Sequence, residues 1–248
     1  MPDEFELVFG LGNTCQVAYQ IEKYFGFRLN SPFDWLITPF NSISKIFSDD
    51  GEFFGRNIKV EFSGQAAICN HYGIAYHHDY PRDQNSFISI TPELMNASRG
   101  KMQHKYNKFK ELLNQGKKTL FVRLGGHHDS AIGSAYVPDP RTLTTEDLNS
   151  LCDAIARKFP DLPFAILLVY IDYVTPVELD ATALNPRVFV STLIDSEIPD
   201  GGSMYARWDG KPESWKPIFD KFRFSIPNDI ERARQFVGAI SEQELLLG

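Results

Sequence analysis

What a chain of this kind can fold into is set first by the uninterrupted apolar run Pro163-Phe164-Ala165-Ile166-Leu167-Leu168-Val169-Tyr170-Ile171. It shows no polar alternation, so it predicts a strand covered on both faces, the central strand of a parallel sheet. Such a sheet needs a helix layer on each side. The segments around it can supply both layers. Thr144 to Phe159 reads as a capped helix with Leu148, Cys152, Ile155 and Phe159 on one face, and Val17, Ala18, Ile21, Tyr24 and Phe25 recur at helical spacing until Gly26 stops them. Thr91-Pro92-Glu93 carries the cap, first-turn proline and early acid of a third helix, which Met102, Tyr106, Phe109 and Leu113 continue to Gly116. Further strands are expected at Phe5 to Leu11, Lys118 to Leu124 and Val188 to Leu193, with helices punctuated by Pro217 and Pro227 at the end. Three short β-like runs crowd together at Ile58 to Phe62, Ala66 to Cys69 and Gly73 to Tyr76, which predicts a locally antiparallel or mixed portion. The expectation is an α/β fold: a layered, mixed, mostly parallel sheet with helices on both faces, in a single domain over residues 1–248.

Composition narrows the function classes. With 248 residues, 43% hydrophobic and 23% charged, the chain can bury a core without disulfides or a structural metal, so its Cys and His residues are free for chemistry. The formal charge is −7, and no window concentrates Lys and Arg as a phosphate-tracking groove requires, so nucleic acid is excluded as an expected partner. The acidic start Met1-Pro2-Asp3-Glu4-Phe5-Glu6 is unlike a secretory signal, and no stretch approaches the roughly 18 apolar residues of a membrane helix. The expectation is a cytoplasmic protein with no membrane partner. Three widely spaced cysteines, Cys15, Cys69 and Cys152, fit reduced thiols.

In open α/β sheets, ligands sit outside the carboxyl ends of the strands. There the first strand delivers Gly10-Leu11-Gly12-Asn13-Thr14-Cys15, the strand ending at Tyr76 delivers His77-His78-Asp79, the one ending near Leu124 delivers Gly125-Gly126-His127-His128-Asp129, and the long apolar strand delivers Asp172. Cys15 is the sharpest feature. With Asn13 as the cap and Gln16 closing a capping box, its thiol lies in the first turn of a helix, where the macrodipole and unpaired N–H groups favour a thiolate and can hold an oxyanion. The bland reading is a small residue packed under a turn, and that reading is preferred for Cys69 and Cys152 on apolar segments. In each His-His-Asp tripeptide the two imidazoles point opposite ways along an extended chain, so each supplies at most one base. Metal binding would take one imidazole and one carboxylate from each tripeptide, without the support of HExxH, HxH or CxxC spacing.

The residues Gly10-Leu11-Gly12-Asn13-Thr14-Cys15, Gly26-Phe27-Arg28 and Ser31-Pro32-Phe33-Asp34-Trp35-Leu36 together have a specific look. The chain resembles a bacterial family of papain-like cysteine peptidases, whose members open with a Gly-x-x-Cys turn followed by a Pro-Phe-Asp-Trp block. Tyr72-Gly73-Ile74 with His78-Asp79-Tyr80 is similar to that family's His-Asp-aromatic block, and Leu120-Phe121-Val122-Arg123 to its later strand. The resemblance covers roughly the first half of the chain. It implies Cys15 as nucleophile, His78 as base and Asp34 or Asp79 as orienting carboxylate. Secreted papain-type proteases differ: Cys-Gly-Ser-Cys-Trp is absent, and Phe9 stands where a Gln oxyanion donor would precede the nucleophile. The bland reading of Phe33-Asp34-Trp35 makes the aromatics core anchors and Asp34 a turn cap.

The leading expectation is therefore a thiol hydrolase or acyl transferase that needs no cofactor and acts on a small-molecule, peptide or glycan-linked substrate. Asn13, Arg28, Trp35, Arg123, His127 and His128 are its candidate substrate contacts, with Arg28 and Arg123 suited either to a substrate carboxylate or phosphate or to a structural acid. A metal-dependent hydrolase built on the His-His-Asp tripeptides and a noncatalytic ligand-binding module stay open as alternatives.

Overall fold

A computed structural model describes residues 4–13, 15–61, 64–76, 78–125, 142–170, 177–193 and 209–225. In chain order the elements are β1 (Glu4–Phe5), β2 (Leu7–Gly10), α1 (Cys15–Phe25), β3 (Leu36–Ile37), α2 (Phe40–Ser48), β4 (Ile58–Glu61), β5 (Ala66–Cys69), β6 (Ala75–Tyr76), α3 (Pro92–Leu113), β7 (Thr119–Leu124), β8 (Leu143–Thr144), α4 (Thr145–Lys158), β9 (Phe164–Tyr170), β10 (Val177–Glu178), β11 (Val188–Thr192), α5 (Pro212–Phe219) and β12 (Arg223–Phe224). The fold is the layered α/β arrangement expected.

The main sheet runs β11-β9-β7-β2 and every pairing in it is parallel. The apolar run is β9, a central strand with a neighbour on each side. Its alternate residues feed two different cores. Phe164, Ile166 and Leu168 join Phe121 of β7 and Leu7 and Phe9 of β2 beneath α2, α3 and α4, which contribute Phe47, Phe109 and Leu151 among others. Ala165, Leu167 and Val169 join Leu120, Val122 and Val8 beneath α1 and α5, which contribute Val17, Ile21, Trp215 and Phe219. Helices therefore cover both faces, and the period-two alternation of the strands is what sorts the side chains between them.

Local chemistry sets the helix boundaries. Thr91 caps α3 by accepting from Leu94 N at 3.3 Å, and Thr144 with Asp147 forms a complete capping box on α4. The first strand departs from the expected single run. Glu6 N and Leu7 N both donate to Lys118 O, at 2.8 and 3.1 Å, and this doubled contact separates β1, which pairs with β12, from β2.

The crowded short runs form a second sheet, β3-β6-β5-β4, antiparallel throughout. It packs onto the α2–α3–α4 side through Leu36, Ala67, Cys69 and Tyr76. This changes how His78 reaches the site: β6 lies outside the parallel sheet, so its last residues do not leave the same sheet edge as Cys15. Among the described residues no helix is long and apolar enough to cross a membrane.

Candidate active site

The turn after β2 has little room. A side chain at Gly10 would meet Asp34 Oδ1 at 3.1 Å, and one at Gly12, whose φ is +77°, would meet Thr38 Oγ1 at 3.0 Å. These glycines let residues 31–38 wrap the turn closely. The wrap is hydrogen-bonded: Ser31 Oγ donates to Gly10 O at 2.7 Å, and Thr38 N donates to Asn13 O at 3.2 Å. Arg123 ties the two segments together from β7, donating through Nη1 to Leu11 O at 2.9 Å and through Nη2 to Thr38 O at 2.8 Å. Asn13 is fully buried with φ +87°, and its amide donates to Gly125 O at 2.8 Å. The helix starts at Cys15, so Asn13 stands one residue short of the cap position and spans instead to the end of β7.

The second sheet brings the base. β3 pairs with β6 in the register Leu36↔Tyr76 and Ile37↔Ala75. Continued outward, that register sets the Asp34-Trp35 end of one segment against the residues just after Tyr76 in the other. His78 accordingly meets the Trp35 ring edge-on, with centroids 5.9 Å apart and planes at 85°. The His78 Nε2 atom lies 3.8 Å from Cys15 Sγ, within reach for a sulfur hydrogen bond. Trp35 holds φ at +66°, an unusual backbone for so bulky a residue, and such strain gathers at functional sites. On the same ring rests the Arg28 guanidinium, 5.6 Å from the centroid.

Both candidate carboxylates are held. Asp34 is buried, accepts from Ser31 N at 2.9 Å and forms an ion pair with Arg28, which also reaches Glu22 at 3.4 Å. Asp79, its side chain 6% exposed, takes Lys101 Nζ at 2.7 Å. Arg123 is wholly buried; its partners among the described residues are the two carbonyls and the Phe40 ring, and burial pulls its pKa down to about 9. Cys15, His78, Asp34, Asp79, Arg28 and Trp35 thus converge, with Asn13 and Arg123 beneath them as supports of the turn. His127, His128, Asp172 and His77 lie outside the described residues. Among the described residues, no three His, Cys, Asp or Glu side chains are grouped to hold a metal ion.

The electrostatics differ from the sequence expectation at Cys15. Burial pushes its thiol up to about 11, against the opposing pull of its own backbone N–H and with a further push from the Asp34 carboxylate. Desolvation outweighs the favourable helix start, and the resting sulfur is a neutral thiol. The arrangement suits proton removal by an adjacent imidazole during attack more than a standing thiolate. The sequence shows the basic stretch Lys105-Tyr106-Asn107-Lys108 but assigns neither Lys101 nor Lys105 to the site, although their i, i+4 spacing beside the Met102 and Tyr106 stripe is the signal that places them together.

Asp34 yields a pH prediction. Burial raises its carboxyl to about 6, although Arg28, the Ser31 N–H and Lys105 all oppose the shift. Because the folded carboxyl keeps its proton to higher pH than the unfolded one, its stabilising contribution is complete below the ordinary carboxyl range and is lost as pH rises through about 6. At 1.36 kcal/mol per unit the swing is up to about 3 kcal/mol. Because pH 4 lies within the ordinary carboxyl range, wild type should gain about 2 kcal/mol of that swing relative to Asp34→Asn between pH 7.5 and pH 4, as read by urea unfolding. A difference that stays flat with pH would refute the assignment.

Comparison with known proteins places the chain. A family described as "Putative papain-like cysteine peptidase (DUF1796)" matches residues 6–173, which span every described site residue. An uncharacterized protein of Acanthamoeba polyphaga mimivirus is 26% identical over 138 residues, 47% of this chain and 60% of that protein. The chain thus matches over less than two thirds of that relative's length. No solved structure matches. With the family match running from β2 through β9 and across the Cys15 turn, the chain belongs to the family described as "Putative papain-like cysteine peptidase (DUF1796)".

Proposed function

We propose that this protein is a cysteine-dependent hydrolase or acyl transferase that attacks amide, peptide or ester carbonyls through a thioester on Cys15. The observation that carries the reading is the 3.8 Å contact between Cys15 Sγ and His78 Nε2, made by residues 63 apart in sequence, one opening α1 and the other following β6. His78 takes the thiol proton as Sγ bonds to the substrate carbonyl carbon. The oxyanion is received by backbone N–H groups in the first turn of α1, which lack partners within the helix. The proton then passes from His78 to the leaving group, and water or a second nucleophile releases the acyl group. Trp35 fixes the imidazole plane and offers an aromatic floor to the substrate, with Arg28 at its margin. Asp34 and Asp79, each held by a cation, set the field around the imidazole and the sulfur.

The test needs no knowledge of the natural substrate. With p-nitrophenyl acetate, the acetyl group should appear on the peptide containing Cys15, be removed by hydroxylamine, and be absent from Cys15→Ala. Cys69 and Cys152 are fully buried, so neither should compete in the folded protein. Acetylation of either of those thiols first, or undiminished acetylation of Cys15→Ala, would sink the proposal.

A further inference from the structure

We propose that Lys105, with Lys101 and Arg28 beside it, forms an anion subsite at the edge of the Cys15–His78 pair, and that the substrate carries a carboxylate or phosphate close to the bond attacked. This rests on the reading of Cys15 as nucleophile and adds the charge class of its substrate.

Lys101 and Lys105 stand one turn apart on α3, flanking the stripe that buries Met102 and Tyr106. Lys101 is tied at 2.7 Å to Asp79, the residue after His78. Lys105 is half-buried and lies within electrostatic reach of Asp79, Lys101, Asp34 and Arg28, which come from three separate stretches of chain. It therefore sits among the charged residues that border the thiol and the imidazole.

These cations differ in how they are neutralised. Arg28 is shared by Asp34 and Glu22, and Lys101 is matched by Asp79. Lys105 makes no hydrogen bond or ion pair among the described residues, although the chain carries 32 acids against 25 Lys and Arg. An ammonium that is partly desolvated and next to a like charge four residues away is only partly offset by carboxylates acting at a distance, and a directly paired anion would stabilise it. Burial presses its pKa down, with the Lys101 and Arg28 charges adding to the shift and the Asp79 and Asp34 carboxylates opposing it, and a bound anion would push it back up. Through Arg28 the cluster adjoins the Trp35 ring, whose edge contact holds His78. An anion seated on Lys105 would thus be anchored beside the aromatic floor and within a short reach of Cys15.

Iodoacetate and iodoacetamide test this, since they share a leaving group and differ in a carboxylate against an amide. The measured quantity is the ratio of their rates at Cys15, divided by the same ratio for free cysteine, so that a change in intrinsic thiol reactivity cancels. Wild type should show a normalised ratio of about ten, the lower range of electrostatic focusing, and it should fall at high salt. Lys105→Met should bring it close to one, Lys105→Arg should retain it, and the exposed Lys108→Gln on the same helix should leave it in place. Competition separates the two anion classes: inorganic phosphate slowing iodoacetate at lower concentration than acetate does marks a phosphoryl group, and the reverse order marks a carboxylate. A wild-type ratio near one, a ratio that survives in Lys105→Met, or no slowing by either anion would overturn the subsite. Preferential iodoacetate labelling without any acetyl transfer from p-nitrophenyl acetate would instead keep the subsite and discard the acyl-transfer reading.

Discussion

His78→Ala should slow acetyl transfer from p-nitrophenyl acetate to Cys15 by a factor of about 10² to 10⁴, the usual value of a positioned general base. The reason lies in the sulfur. With its pKa pushed up to about 11 by burial, the thiol is ionised to only roughly three parts in ten thousand near pH 7.5, so spontaneous ionisation supplies almost no nucleophile. His78 Nε2, 3.8 Å away, is placed to take the proton as the bond forms. Without it the rate should follow the thiolate fraction, climbing about tenfold per pH unit through pH 9 with no plateau below about 11. His78 is exposed, so the variant should keep its melting temperature. A rate within threefold of wild type, or a variant whose rate levels off near pH 8, would remove His78 from the mechanism.

The same neutral thiol shows where sequence reasoning stops. Elements governed by local rules were legible: the Thr91 and Thr144 caps, the helical stripe through Phe109, and β9, whose unbroken apolar run needs two covered faces. So was the Cys15 turn, because Gly10 and Gly12 end the apolar run abruptly just before the helical stripe begins. What the sequence did not reveal depends on distant partners. β3 and β6 are two residues long, too short to carry a period, and their pairing brings together segments about forty residues apart. That pairing delivers His78, which the sequence brings to the Cys15 edge only if its strand runs parallel to the others. The thiol is a second case: the helix start favours the thiolate, but burial in the tertiary fold defeats it. Lys105 is a third, since a lysine on a helix reads as a solvated charge until the tertiary fold puts it beside Asp34, Asp79 and Arg28.

Phe109→Ala should destabilise the fold by about 3–5 kcal/mol, because it empties the point where the site's supporting segments meet. Phe109 is fully buried, and its ring lies 4.8 Å from Phe9, 6.2 Å from both Phe33 and Phe47, and 6.3 Å from both Tyr106 and Phe121. The loss combines transfer of the ring with a cavity that five aromatic neighbours cannot readily fill, and edge-to-face contacts such as that with Phe9 add about 0.5–1.5 kcal/mol each. Against the 5–15 kcal/mol typical of a folded domain this is a large fraction. The contrast is Val60→Thr on β4, where the side chain is 42% exposed and the exchange keeps the β-branch; its effect should stay within about 0.5 kcal/mol. Urea unfolding compares them directly, and a Phe109→Ala loss below about 1 kcal/mol would contradict the packing described here. The consequence also reaches the chemistry. Phe9 belongs to the strand that leads into the Cys15 turn, Phe33 adjoins Asp34, and Phe109 lies one turn beyond Lys105 on α3. The milder Phe109→Leu should therefore remain folded yet react more slowly at Cys15, since three chain segments that share one aromatic contact must keep their spacing for a 3.8 Å approach of sulfur and imidazole to persist.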